Sequence, residues 1–381
     1  MPDLTLDTIL AAALEGPGPV VPPIVQTSLF TYPDYAAFEA RMTGCDSAPI
    51  YTRVGNPTVA AFEALMAQAE EGAAAVGFAS GMAAISGTVL AFVRPGDRIA
   101  CVEHVYPDAY RFFEQMLRPW GVEITYHPVA AFAEDPEVLR GARLAYLESP
   151  TSVMFQTVDL ARVAERARAQ GVLTVIDNSW ATPVVQQPLG LGIDVVLHSA
   201  SKYISGHSDT VAGVVVARAE LIAQIRALTL PLLGAKLAPF EAFLLTRGLR
   251  TLAVRMRAHE ATAGLFVDRL AGVKGVRAVH APGANTVPGL TGRSGLLSVE
   301  FDGSVDIPRL CDGLRIFRLG VSWGGFESLC YPARAGLAAG PTANAAHRFG
   351  VPSGLVRLSL GLEGAEDLWA DFTQAVSAAR G

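Results

Sequence analysis

The chain has 381 residues, 51% of them hydrophobic and only 17% charged, with a formal net charge of -6. That length exceeds what one small core fills and suits two domains sharing a cleft, and the balance excludes a disordered or fibrous protein. An acidic chain without a basic run offers no electrostatic footprint for nucleic acid or an anionic membrane, so neither is expected as a partner.

In chain order, Asp3 and Asp7 stand where a secretory leader carries basic residues, which points to the cytoplasm. Pro17, Pro19, Pro22 and Pro23 forbid a continuous helix, so residues 1–56 read as an extended arm reaching a neighbouring subunit. Residues 72–93 carry no charge and are long enough to cross a bilayer. Gly72, Gly77, Gly81 and Gly87 interrupt them, which suits a buried strand, a tight loop and a packed helix instead. Over residues 57–246 strands alternate with helices: a helix over 82–93, strands over 98–102, 122–129 and 143–148, and a helix over 159–170. Short apolar strands follow over 172–176, 195–198 and 212–216.

This alternation predicts an α/β domain with a mostly parallel sheet whose ligands collect at the carboxyl ends of the strands. The polar residues there are Glu148, Asp177, Asn178, Ser199, Ser201 and Lys202. From residue 247 the texture changes: a charged helix over 250–270 and strands over 296–301 and 355–360 predict a smaller C-terminal α+β domain, 247–381. Cys45, Cys101, Cys311 and Cys330 form no C-x-x-C pair and read as buried thiols of a reducing compartment. No metal site is indicated.

Lysine occurs only at 202, 236 and 274, the rest of the 30 basic residues being arginine. A lysine just after an apolar strand is therefore a candidate for what arginine cannot do, which is to lose a proton and attack a carbonyl. A surface lysine at a strand end is the alternative. Asp177 ends a neighbouring strand, a short helix-free crossover before Lys202, and could keep a pyridine nitrogen protonated. A capping aspartate is the alternative; a ribose-binding acid is excluded because no G-x-G-x-x-G precedes it.

Ser80, Gly81 and Met82 open a helix whose free amides could face a phosphate, helped by Ser199 and Ser201, although Ser80 could simply be a cap. Tyr106 could stack on an aromatic ring or be a core tyrosine. Tyr51 and Arg53, in the arm, suit a phosphate reached from a second subunit. Arg357 lies in an apolar strand and needs an anionic partner, either a substrate carboxylate or an internal acid such as Glu363.

Residues 194–208, DVVLHSASKYISGHS, resemble the cofactor-lysine signature of the Cys/Met-metabolism pyridoxal-phosphate enzymes. Segments 51–57, 80–83, 147–150, 176–180, 247–251, 322–328 and 357–363 resemble further blocks of that family in family order, so the resemblance spans nearly the whole chain. It implies the aspartate-aminotransferase-like fold, type I of the pyridoxal-phosphate enzymes, with active sites shared across dimers in a homotetramer. It also implies pyridoxal 5'-phosphate as cofactor, with Lys202 as its Schiff-base lysine, Asp177 on the ring nitrogen and Tyr106 stacked on the ring. Gly81, Met82, Ser199 and Ser201 would hold the phosphate, with Tyr51 and Arg53 from a neighbouring subunit. Arg357, supported by Ser322 and beside Trp323, would bind a small sulfur-containing amino acid.

Trp323 and Ser152 resemble the bacterial cystathionine β-lyase pattern more than that of the γ enzymes, which usually carry an aliphatic residue and an Asn there. The resemblance therefore implies β-elimination of cystathionine to homocysteine, pyruvate and ammonia. The alternatives are γ-elimination or γ-replacement, as in a cystathionine γ-synthase or γ-lyase, and a non-catalytic regulatory protein that keeps the fold. Two departures from the family pattern are Ser201 for the usual Thr and Val321 for an aromatic residue.

Overall fold

The computed structural model describes residues 4–12, 18–340 and 345–380; Asp3 and Pro17 lie outside the described residues. A seven-stranded sheet is built from β1 (Ala74–Phe78), β2 (Arg98–Val102), β3 (Glu123–His127), β4 (Leu144–Glu148), β5 (Leu173–Asp177), β6 (Val195–His198) and β7 (Gly213–Ala217). Its order is β1-β7-β6-β5-β4-β2-β3. Strands β6, β5, β4, β2 and β3 pair in parallel, while β7 runs antiparallel to both β6 and β1. Six strands therefore share one direction, and β7 inserts against them.

The consequence is positional: the carboxyl ends of β1, β2, β4, β5 and β6 open on one edge of the sheet, together with the amino end of β7. The central strands are buried along nearly their whole length, as continuous Val/Ile/Leu/Ala runs covered on both faces require. Asp159 caps the helix Leu160–Ala169 by accepting the Arg162 amide, and Ser80 caps Gly81–Phe92 by accepting the Ala83 amide.

A second sheet, ordered β10-β11-β12-β9-β8, comprises β8 (Val276–His280), β9 (Leu296–Phe301), β10 (Arg318–Leu319), β11 (Leu329–Pro332) and β12 (Leu355–Ser359). Phe266, Phe301, Phe372 and neighbouring aliphatic residues form its core against the helices Leu252–Leu270 and Ala365–Ala379.

The helix expected over 250–270 runs over Leu252–Leu270, and a turn at Arg250 and Thr251 separates it from a preceding helix, Pro239–Leu249. Arg255 holds that corner: its guanidinium donates to the Gly248 carbonyl at 2.7 Å and to the Tyr203 carbonyl at 2.6 Å. Three readings need correction. The crossover between β5 and β6 contains a one-turn helix, Thr182–Val185, rather than none. The arm is not extended throughout, since it carries the helices Leu6–Ala11 and Tyr35–Met42, each with a side-chain cap. Cys45 is exposed rather than buried, while the sheet packing brings Cys311 and Cys330 to 3.8 Å as free thiols.

Candidate active site

The strand ends converge as the parallel sheet demands. Asp177 and Glu148 are paired residues on adjacent strands, and Lys202 follows β6 in a turn closed by the Gly206 amide donating to the Lys202 carbonyl at 2.8 Å. Ser199 lies against Gly81 so closely that a Cβ there would sit 2.7 Å from the Ser199 hydroxyl. The opening amides of the helix Gly81–Phe92 thus face the lysine turn. The amides of Gly81 and Met82 precede the first internal bond of that helix and are free for an anion.

The small sheet supplies the opposite wall. The segment between β10 and β11 crosses to the lysine turn, where Lys202 Nζ donates to Ser322 Oγ at 2.7 Å and lies 5.6 Å from the Trp323 ring. Trp323 also packs on Tyr203, ring centroids 5.5 Å apart. Gly324 makes this approach possible: its φ is +83°, and a Cβ would stand 2.8 Å from the Tyr203 amide.

From β12, Arg357 stacks on Tyr331 at 5.0 Å and donates to the carbonyls of Val321 at 2.9 Å and Ser322 at 3.1 Å. Its Nε is buried with no partner among the described residues. Among the described residues no carboxylate meets Arg357: Glu363 accepts instead from the Ser328 amide and hydroxyl, both at 2.8 Å. The internal acid considered from the sequence is thereby excluded, and a buried cation with an idle donor is left facing the cleft.

Electrostatics sharpen the picture. Burial, and then the positive charge of Arg357, push the Lys202 amine down to about 8, while Asp177 pulls the other way. Burial lowers the Arg357 guanidinium to about 10, so it remains charged at neutral pH. Burial raises the Asp177 carboxyl, opposed by Ser179, which donates its amide at 2.9 Å and its hydroxyl at 2.6 Å, and by His198 and Lys202. Burial and the charge of Asp177 raise the Tyr106 phenol, whose hydroxyl donates to Asp108 at 2.9 Å.

The other expected residues divide. Ser201 faces the site through its place in the turn, but its hydroxyl is committed to the Ala212 main chain, accepting the amide at 2.9 Å and donating to the carbonyl at 3.2 Å. Tyr51 and Arg53 are not brought to Lys202 or Asp177 by any contact among the described residues. Arg53 lies 5.6 Å over the Tyr51 ring and donates to the Pro231 carbonyl at 2.5 Å.

Residues not singled out from the sequence also belong to the site. Ser179 holds Asp177. Beneath both, Glu70 and His198 form a fully buried pair, Nε2 to Oε1 2.5 Å, joined by Asn178 at 3.3 Å. His198 lay in the lysine motif, and a histidine at the end of an apolar strand was the available signal. Glu70 carried none, because its partner is more than a hundred residues away.

A family model described as "Cys/Met metabolism PLP-dependent enzyme" matches residues 10–377. The L-methionine γ-lyase of Pseudomonas putida is 37% identical over 372 residues, covering 95% of this chain and 93% of that one. The cystathionine γ-synthase of Mycobacterium leprae is 37% identical over 340 residues, covering 86% of each. The crystal structure of cystathionine γ-synthase from Xanthomonas oryzae pv. oryzae, in complex with aminoacrylate and cysteine, superposes with a TM-score of 0.89 at 35% identity, covering 99% of each chain.

Two outcomes are expected from this geometry. Reductive labelling with a small aldehyde and borohydride should modify Lys202 increasingly as pH rises through about 8, since the neutral amine is the nucleophile. Peptide mass spectrometry would locate the label on Lys202; modification of Lys202 that does not rise through that pH would remove the depressed amine. Replacing His198 by Leu strands the Glu70 carboxylate in the core and should cost about 3 to 5 kcal/mol in urea unfolding of the apoprotein, with partial recovery in the Glu70→Leu/His198→Leu double variant. A loss below about 1 kcal/mol would mean the pair is not load-carrying.

Proposed function

The chain belongs to the Cys/Met-metabolism enzymes that depend on pyridoxal 5'-phosphate, and on that premise we propose that it breaks or exchanges a carbon-sulfur bond at the γ-carbon of a small sulfur-containing amino acid. The observation that carries the amino-acid part of the reading is Arg357, whose buried Nε has no partner and which meets no carboxylate among the described residues, in the electrostatic field of Lys202; the γ-carbon part rests on the relatives. An α-carboxylate of an amino acid supplies the missing anion and sets its α-carbon toward the lysine.

The residues present fit the cofactor. The Gly81 and Met82 amides and Ser199 would hold its phosphate, Asp177 its ring nitrogen, Tyr106 its ring face and Lys202 its aldehyde carbon. Ser201 would support the turn that carries Lys202 rather than donate to the phosphate, since its amide and its hydroxyl are both engaged with Ala212. Tyr51 and Arg53 would reach the phosphate of a second copy in a homotetramer of dimers. When bound, the cofactor supplies a protonated ring that accepts electron density from the substrate α-carbon.

The chain's own groups do the rest. Arg357, braced by the carbonyls of Val321 and Ser322, orients the substrate carboxylate. The free Lys202 amine would take the α-proton at Nζ, and the Ser322 hydroxyl that accepts from it at 2.7 Å keeps it aimed. An amine depressed to about 8 is a base that is partly neutral at physiological pH. Trp323 closes the wall and sheds water.

The methionine γ-lyase and cystathionine γ-synthase relatives favour chemistry at the γ-carbon, which removes a proton from the β-carbon as well as the α. Trp323 beside Lys202 and Ser152 beside Glu148 favour a second reading, β-elimination of cystathionine, which removes only the α-proton. A non-catalytic scaffold has no use for a buried lysine, two buried acids and an unpaired arginine in one cleft.

Product identity decides between the readings. With the holoenzyme, methionine, homocysteine and cystathionine should yield 2-oxobutyrate, or exchange sulfur at the γ-carbon when offered a second thiol. Pyruvate and homocysteine from cystathionine would establish the β reading, and a chain that binds the cofactor but yields no keto acid from any of them would defeat both. Arg357→Leu should reduce kcat/KM by about 10- to 100-fold, chiefly through KM, as expected for loss of a charged hydrogen bond.

A further inference from the structure

Glu148 is a second carboxyl under the cleft that the mechanism above does not use. It ends β4 as the direct neighbour of Asp177 on β5, so the two carboxyls lie side by side on one edge. It is 5% exposed. Its Oε1 accepts the Tyr106 amide at 2.7 Å, and its Oε2 lies 2.9 Å from Ser152 Oγ. One side chain thus pins the main chain at the stacking tyrosine and the turn after β4 to the strand beside Asp177.

Among the described residues no cation is recorded acting on it. Cys101 faces it from β2, Tyr146 lies on its own strand, Tyr106 starts the next helix and Asp177 stands on β5. The positive groups nearby, Lys202 and Arg357, act on Asp177 and Tyr106 instead. Two adjacent carboxyls withdrawn from water cannot both ionise cheaply; each accepts hydrogen bonds, but Asp177 is the better anion because Lys202 faces it.

We propose that Glu148 is a positioning residue that works as a neutral acid, clamping Tyr106 and Ser152 in place while leaving Asp177 the one ionised carboxylate beneath the cofactor ring. In that form Oε1 still accepts from Tyr106, and the Oε2 hydroxyl donates a hydrogen bond to Ser152 Oγ across the same 2.9 Å at which an ionised Oε2 would accept from Ser152. Burial and the charge of Asp177 together raise the Glu148 carboxyl to about 8. Ionisation above that value sets a second negative charge beside Asp177 and weakens the clamp.

The inference rests on the cofactor reading given above. Its test compares wild type, Glu148→Gln and Glu148→Ala as holoenzymes, reading the pH profile of kcat/KM, the pH dependence of the bound-cofactor absorbance, and cofactor affinity by titration of the apoprotein. The Ala variant should lose about 10-fold in cofactor affinity and in kcat, from the lost contacts of Tyr106. Gln, a neutral isostere, should rescue most of that loss and abolish the decline that wild type shows as pH rises through about 8.

A Gln variant no better than Ala would show that the ionised carboxylate is required and would overturn the proposal. So would variants that share the wild-type pH profile and affinity. Wild-type protein that binds no cofactor would overturn the functional reading itself and this inference with it, whereas the previous two outcomes, seen in a cofactor-loaded enzyme, remove only the role of Glu148.

Discussion

Burying ionisable groups at apolar strand ends is the constraint on which the rest of this molecule depends. A lysine and two carboxyls at one edge of the large sheet, and an arginine brought to them by the small sheet, are drawn away from water, where each must find a partner or give up its charge. Some partnerships are internal: Ser179 with Asp177, Ser322 with Lys202, and His198 with Glu70 below. Others are left open, and the open ones describe the ligand. The idle Arg357 Nε calls for an anion, the softened Lys202 amine for a carbonyl and the Asp177 carboxylate for a protonated ring nitrogen.

The two sheets divide this work. The large sheet sets Glu148, Asp177 and the lysine turn by strand register, which tolerates little error because a shift of one residue turns every side chain to the other face. The small sheet delivers Arg357 and the Ser322–Gly324 segment to the same point from more than a hundred residues away in sequence. Arg255 joins the two halves mechanically, since a single guanidinium holds the Gly248 corner and the Tyr203 carbonyl next to Lys202. Four carbonyl oxygens or hydroxyls around one buried cation make that junction stiff, which suits a site whose reacting amine must stay aimed.

The choice between β and γ chemistry rests on features outside this shared frame. Binding an α-carboxylate and removing an α-proton serve both reactions equally, so Arg357, Lys202 and Asp177 do not distinguish them. Trp323, 5.6 Å from Lys202 Nζ, and the strongly exposed Val321, 80% accessible, stand on the small-sheet side of the lysine turn. Relatives named for γ chemistry share about a third of the residues, and that identity is carried along nearly the full chain.

Much was legible in the sequence by itself, because it depends on local patterning. The apolar runs of β2, β6 and β9 end where periodicity and the change to polar residues place them. Parallel topology put Asp177 and Lys202 on neighbouring strand ends, and the rarity of lysine marked Lys202. The tertiary structure alone decided the rest, since burial and pairing arise between segments distant in the chain. It put Glu363 on Ser328 rather than on Arg357, tied up the Ser201 hydroxyl and brought Glu70 beneath His198. Local propensity sets where strands and helices form, but which charges lose water, and to whom they turn, follows only from how those elements pack.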